Sequence, residues 1–173
     1  MTWWSSAGVS SNLLEDCIHY NREVCNPDGI DLVYVECPDT GISETKGFFI
    51  GMFEVTQTQW KAIMGINFSH FTGDSLPVEN VSWYDTQEFL SRLNAVTGNN
   101  YRLPTEVEWE FAARGGTTGK RYMYSGSDTI NSVAWYYDNS GNREDKNCNV
   151  FFRAYDAPNV RSYNMGFRVV LVL

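Results

Sequence analysis

Long apolar runs are missing from this 173-residue chain. The longest, such as Val169 to Leu173, are far too short to cross a bilayer as a helix. Histidine is scarce as well: His19 and His70 are the two present, and each reads as a surface or packing residue before it reads as a general base. Positive charge is in deficit, with 13 Lys and Arg against 21 Asp and Glu and a formal net charge of −8. That balance argues against a nucleic-acid binder, whose affinity comes from clustered Lys and Arg, and against adsorption to an anionic membrane. No C-x-x-C pair occurs among Cys17, Cys25, Cys37 and Cys148, so zinc ribbons and thioredoxin-like redox sites find little support. The first three cysteines leave a disulfide open, with free, partly buried thiols the plainer reading. There is no phosphate-cradling glycine loop and no Gly-x-Ser-x-Gly nucleophile elbow. No basic start followed by an apolar stretch opens the chain, so no secretory signal is expected, and the compartment stays open.

What the chain does have is enough apolar and aromatic residues, 43% and 15%, to bury one full core. Residues 1–29 carry Ser, Asn and charge with little periodicity and read as a weakly structured arm; residues 30–173 read as a single domain. Ile30 to Glu36 and Gly47 to Val55 have strand character. Three helices announce themselves by their caps: Thr56 with Gln59 closing at Gly65, Ser82 with Asp85 closing at Gly98, and Thr105 with Glu108 closing at Gly115-Gly116. In the second, Phe89, Leu90, Leu93 and Val96 predict one buried stripe. Glu106, Glu108 and Glu110 sit at the start of the third, where a structural role suits them better than paired acid–base work. The stretch from Tyr122 to Asn164 reads as loops and short strands. Gly166 to Val172 is the strongest strand, and its near-continuous apolar character predicts burial on both faces. The fold class is α+β with much irregular structure.

Five motifs occur in order: Gly51-Met-Phe-Glu-Val-Thr-Gln-Thr-Gln-Trp60, Leu76-Pro-Val-Glu-Asn-Val-Ser-Trp83, Tyr101-Arg-Leu-Pro-Thr-Glu-Val-Glu-Trp-Glu-Phe-Ala-Ala-Arg-Gly-Gly116, Ser132-Val-Ala-Trp-Tyr136 and Gly166-Phe-Arg-Val-Val170. Together they resemble the formylglycine-generating-enzyme, or sulfatase-modifying-factor, family. The resemblance implies an irregular variant of the C-type lectin fold. Family members usually have a longer segment after the Val-Ala-Trp-Tyr motif, with a Gly-Asn-Val-Trp-Glu-Trp loop and an Arg-Gly-Gly-Ser-Trp strand. Both are absent here, so the fold is expected to be shortened between the third helix and the C-terminal strand.

The family's enzymes oxidise a substrate cysteine with copper held by two thiolates, soft donors that select Cu(I). Matching Arg153, Pro158 and Gly166-Phe167-Arg168 to the family's pattern places the two ligand positions on Asp145 and Val150. Neither supplies a thiolate, and Cys148 between them is single. The resemblance therefore implies no metal, no cofactor and no catalytic residue here. The alternative is a formylglycine-generating-type copper oxidase, or an inactive shortened relative of one.

The segment from Asn142 to Asn164 mixes Tyr, Phe, Asn, Asp, Ser and Arg. Tyr and Phe give large contact area at low entropic cost, and Asn and Ser give adaptable hydrogen bonds. The arrangement is similar to the variable proteins of diversity-generating retroelements, in which codons near the C-terminus are randomised to build a ligand-binding face. That resemblance implies a non-catalytic, receptor- or adhesin-like protein that binds a protein or cell-surface ligand without inserting in a membrane. It points to Asn147, Asn149, Phe151, Tyr155, Asp156, Asn159, Arg161, Tyr163 and Asn164 as contact residues. The plainer reading of the same stretch is an ordinary irregular loop with some aromatics buried.

Overall fold

Each of the three caps closes as a reciprocal pair in the computed structural model, which describes residues 2–3, 29–38, 47–120, 122–129, 131, 150 and 154–172. Helix α1 spans Gln57–Met64, α2 Trp83–Thr97 and α3 Glu106–Ala113. At α1, the Gln59 side chain accepts from the Thr56 amide at 2.8 Å while Thr56 Oγ1 accepts from the Gln59 amide at 3.3 Å. Two amides that the helix itself leaves unpaired are thereby satisfied. Gly65 and Gly98 leave α1 and α2 in the left-handed conformation, with φ of 79° and 71°, which costs glycine no Cβ clash. The third helix stops at Arg114, just before the Gly115-Gly116 pair.

Four strands form an antiparallel sheet: β2 Leu32–Glu36, β3 Gly47–Gly51, β4 Asn100–Arg102 and β6 Val170–Val172, in the order β2-β3-β6-β4. Thr2–Trp3, numbered β1, pair separately with β5, Ala154–Tyr155. Of the rest of the N-terminal arm only Gly29 is among the described residues; Cys17, Cys25 and His19 lie outside them. Cys37 is a free, buried thiol whose pKa burial pushes up, with a smaller contribution from Glu108.

Strand periodicity sorts the core into two sides. Phe49, Tyr101, Val169 and Leu171 join Trp60 of α1 and Phe89, Leu90 and Leu93 of α2 in one cluster. Val33, Val35, Phe48, Ile50 and Val170 join Ala112 of α3 in the other. The sheet is thus covered on both faces, as the apolar run in β6 predicted. Trp60 stacks on Phe89 at 5.1 Å, and Phe167 meets both rings edge-on. Such ring pairs stabilise beyond their buried area by about 0.5–1.5 kcal/mol each.

The structure departs from the sequence reading in two places. Val96 is 75% exposed, and Thr86 takes its place beside Phe89, Leu90 and Leu93. At 100° per residue Val96 falls about 70° from the centre of that stripe, whereas Thr86 falls close to it. The two long strand candidates are also shorter than their apolar runs. Regular pairing ends at Gly51 on one side and starts at Val170 on the other. Between them the Arg168 guanidinium donates to the carbonyls of Gly51, at 2.9 Å, and Met52. A side chain there occupies acceptors that a ladder would use. Pairing resumes as single bonds, Gly51 N–H to Val169 O at 2.8 Å and Val55 N–H to Phe167 O at 3.0 Å.

Candidate functional site

The stretch from Pro158 to Gly166 is laid over the chain between α1 and α2 and held by backbone and side chain alike. The amide of Trp83, first residue of α2, donates to Pro158 O at 3.1 Å, and the amide of Asn80 donates to Ser162 O at 2.9 Å. Asn80 holds a positive φ of 61°, a conformation that Asn tolerates better than most residues. Its side chain donates to Phe68 O at 2.9 Å. One asparagine therefore ties the 66–72 loop to the C-terminal segment.

Arg161 makes a two-pronged ion pair with Asp85, Nε to Oδ2 at 2.9 Å and Nη2 to Oδ1 at 2.8 Å. Its guanidinium also lies 5.9 Å from the centre of the Phe68 ring. Burial alone would raise the Asp85 pKa, but hydrogen bonds from Arg161 and Ser82 outweigh it and hold the carboxyl below its usual range. Tyr163 packs near His70 and Phe71, at 5.8 and 6.2 Å between ring centres, and His70 meets Phe71 edge-on at 4.8 Å. His70 is thus an aromatic neighbour in an exposed cluster.

Beneath Tyr163 a small cleft of about 80 Å³ opens, lined by Tyr163 and Asn164 from the segment and by Glu54, Phe71, Leu76 and Glu79 from the scaffold. Glu79 is 6% exposed. Its Oε1 accepts from the Phe71 amide at 2.8 Å, while its Oε2 makes no hydrogen bond among the described residues. Burial pushes its pKa up, against the amides of Phe71 and His70 and the nearby His70 side chain.

Of the nine contact residues expected from sequence, Arg161, Tyr163 and Asn164 are brought together with this scaffold. Tyr163 is 54% exposed, and Asn164 is half-buried, accepting from the Ser162 hydroxyl. Asn159 is exposed between the points of attachment. Tyr155, 70% exposed, and Asp156 lie at β5 ahead of them. Asn147, Asn149 and Phe151 lie outside the described residues. Sequence reasoning missed Asp85, Phe68, Phe71, Glu54 and Glu79. A signal for Glu79 was present: it is a carboxylate set between Val78 and Val81, both buried.

Two of the three glutamates of α3 are held in structural contacts. Glu108 is buried and accepts from Arg102 through two bonds of 2.7 Å, and from the amide and hydroxyl of its cap residue Thr105. Glu110 pairs with Arg114 one turn on.

The family model of the sulfatase-modifying factor enzyme 1-like domain matches residues 27–151. The chain belongs to this family. The motif at Gly166 to Val170 lies beyond the matched stretch. The chaperone protein LppX of Paenibacillus barcinonensis is 37% identical, over 56% of this chain and 46% of its own length. The formylglycine-generating enzyme of Streptomyces coelicolor is 34% identical, over 52% of this chain and 27% of its own length. The chain spans less than half the length of either of these curated relatives that it matches. Treponema denticola variable protein 1 superposes with a TM-score of 0.65 at 22% identity, covering 82% of this chain and 92% of that one. The family and the formylglycine-generating-enzyme type of C-type-lectin-like fold are therefore those the motifs implied.

The family's copper chemistry can be tested against the residues present. Val150, at one of the two expected ligand positions, is fully buried and packs with Trp109 and Ala113, and its amide donates to Met123 O at 3.1 Å. An isopropyl group has no lone pair to offer a metal. Valine at 150 and aspartate at 145 do not fit the two thiolate positions of that copper site. Asp145 and Cys148 lie outside the described residues. Among the described residues no three His, Cys, Asp or Glu side chains are grouped so as to hold a metal ion, and no helix is long and apolar enough to cross a membrane.

Proposed function

We propose that this member of the sulfatase-modifying-factor family is a ligand-binding protein of receptor or adhesin type, and that it does not oxidise cysteine. The contact surface is the C-terminal Tyr- and Asn-rich segment, Asn147, Asn149, Phe151, Tyr155, Asp156, Asn159, Arg161, Tyr163 and Asn164. The domain runs over residues 30–173, with residues 1–29 as an arm. The ligand is a protein or a cell-surface component.

The observation that carries this reading is the contrast within one segment. Val150 is fully buried where a donor would be required, while Tyr155, Asn159, Arg161 and Tyr163 are exposed a few residues on. An irregular stretch fastened at both ends to rigid elements displays side chains at low ordering cost, which is what a recognition face needs. The fold shared with a variable protein and the 37% identity to a protein named a chaperone favour binding over oxidation.

Sequencing the coding segment for residues 142–167 in independent isolates tests the reading. Substitutions concentrated at the nine positions, with Val150, Met165, Gly166 and Phe167 unchanged, are expected. A uniform segment, or substitutions spread evenly over buried and exposed positions, would overturn it.

A further inference from the structure

The cleft under Tyr163 is built from two kinds of wall. Tyr163 and Asn164 belong to the proposed contact segment, whereas Glu54, Phe71, Leu76 and Glu79 belong to the scaffold. The scaffold part sets what the cleft can accept, whatever stands on the segment.

Its polar surface is acidic. Gln57, which also lines the cleft, spends its amide protons on the carbonyls of Phe71 at 2.7 Å and Pro77 at 3.2 Å, and its oxygen accepts from Asn67 at 2.9 Å and Gly73 at 3.2 Å. It is thus committed to holding the loop and is no donor for an anion. Glu54 lies near the buried guanidinium of Arg168, whose pKa burial lowers and Glu54 raises. Glu79 is different. It is 94% buried by side-chain enclosure, one carboxylate oxygen is held by an amide, and the other makes no hydrogen bond among the described residues. A buried carboxylate oxygen left unpaired is costly, and a donor arriving in the cleft relieves that cost. The remaining walls, Phe71, Leu76 and Tyr163, are apolar or aromatic and suit a methylene stem and a cation beside a ring.

We infer that this cleft takes the side chain of a lysine presented by a protein ligand, with the methylenes against Leu76 and Phe71 and the ammonium directed at Glu79. A compact ammonium is a point donor that suits a single carboxylate oxygen, whereas a planar guanidinium offers a fork that calls for two. The net charge of −8 favours the approach of a basic partner. This inference rests on the reading of the C-terminal segment as a contact face and names what that face anchors.

The test is a titration of the full chain, followed by NMR at the methyl signals of Leu76 and Met165, with Nα-acetyl-lysine methylamide and with Nα-acetyl-norleucine methylamide. The two probes share a stem and differ in the ammonium. Saturable shifts with the lysine probe, about tenfold tighter than with norleucine, are expected, the worth of one charge-assisted hydrogen bond. Glu79→Gln should erase that preference. Because Glu79 also holds the Phe71 amide, Asn164→Lys serves as a second variant: it places the protein's own ammonium at the rim and should block the probe with the fold intact. Equal shifts from both probes, shifts confined to other signals, or no shifts would overturn the inference. If substitutions across isolates still concentrate on the nine positions, such a result removes the lysine anchor alone and leaves the contact face standing.

Discussion

Arg161 and Asp85, 76 residues apart, are joined by two parallel hydrogen bonds, and Asp85 is at the same time the third residue of the α2 cap. The carboxylate that closes the helix on Ser82, at 2.7 Å from its amide, is therefore also the anchor of the C-terminal segment. One side chain couples a local helix signal to the position of a surface the chain displays far along its length.

That coupling has a measurable cost. Asp85→Ala should destabilise by more than Arg161→Ala, because it removes the cap partner as well as the ion pair. A double-mutant cycle on the two should return a coupling of about 0.5–1 kcal/mol, the range for a partly exposed pair. Denaturant titration of the four proteins measures it.

The same pair sets an acid dependence. Burial would raise the Asp85 pKa, but Arg161 and Ser82 prevail and depress it in the folded chain. A depressed carboxylate contributes stability above the ordinary aspartate range near pH 4, and that contribution is lost as pH falls through the folded value. Glu79, raised by burial, has the opposite sign: it contributes at low pH and loses that contribution as pH rises through its raised value. Melting between about pH 3 and 7 should show Asp85→Asn flattening the acid limb, while Glu79→Gln should gain relative stability toward neutrality. An acid limb unchanged in Asp85→Asn would contradict the assignment.

The α2 stripe gives a sharp contrast. Phe89→Ala should cost about 3–5 kcal/mol, since the ring is fully buried between Trp60 and Phe167. Val96→Asp, seven residues on, should stay within about 0.5 kcal/mol of the parent. Equal losses at both would restore the stripe drawn from sequence alone.

At α3, Glu108→Gln should cost about 2 kcal/mol by breaking the paired bonds to Arg102 while keeping a side chain able to cap. Thermal melting at neutral pH reads it.

Local chemistry was the most legible in the sequence. Each capping box is a contact between residues three apart, so Thr56, Ser82 and Thr105 announced their helices, and the near-continuous apolar run that holds β6 announced a sheet covered on both faces. Strand ends were less legible because Arg168 takes the carbonyls of Gly51 and Met52 across more than a hundred residues. The sequence marked Tyr155 and Tyr163 as contact candidates, and both are exposed. The segment's scaffold partners were not marked: Asp85 looked like a cap alone, and Glu79, Phe71 and Tyr163 meet only after the chain has folded back over Asn80. No periodicity marks such a meeting.

The central claim is that this chain binds and does not oxidise, and Cu(I) titration of the reduced protein against a competing chelator, with sulfur coordination read by X-ray absorption, tests it most directly. No stoichiometric copper and no thiol-dependent oxygen uptake is the predicted result. One copper per chain held by two sulfur atoms would contradict it.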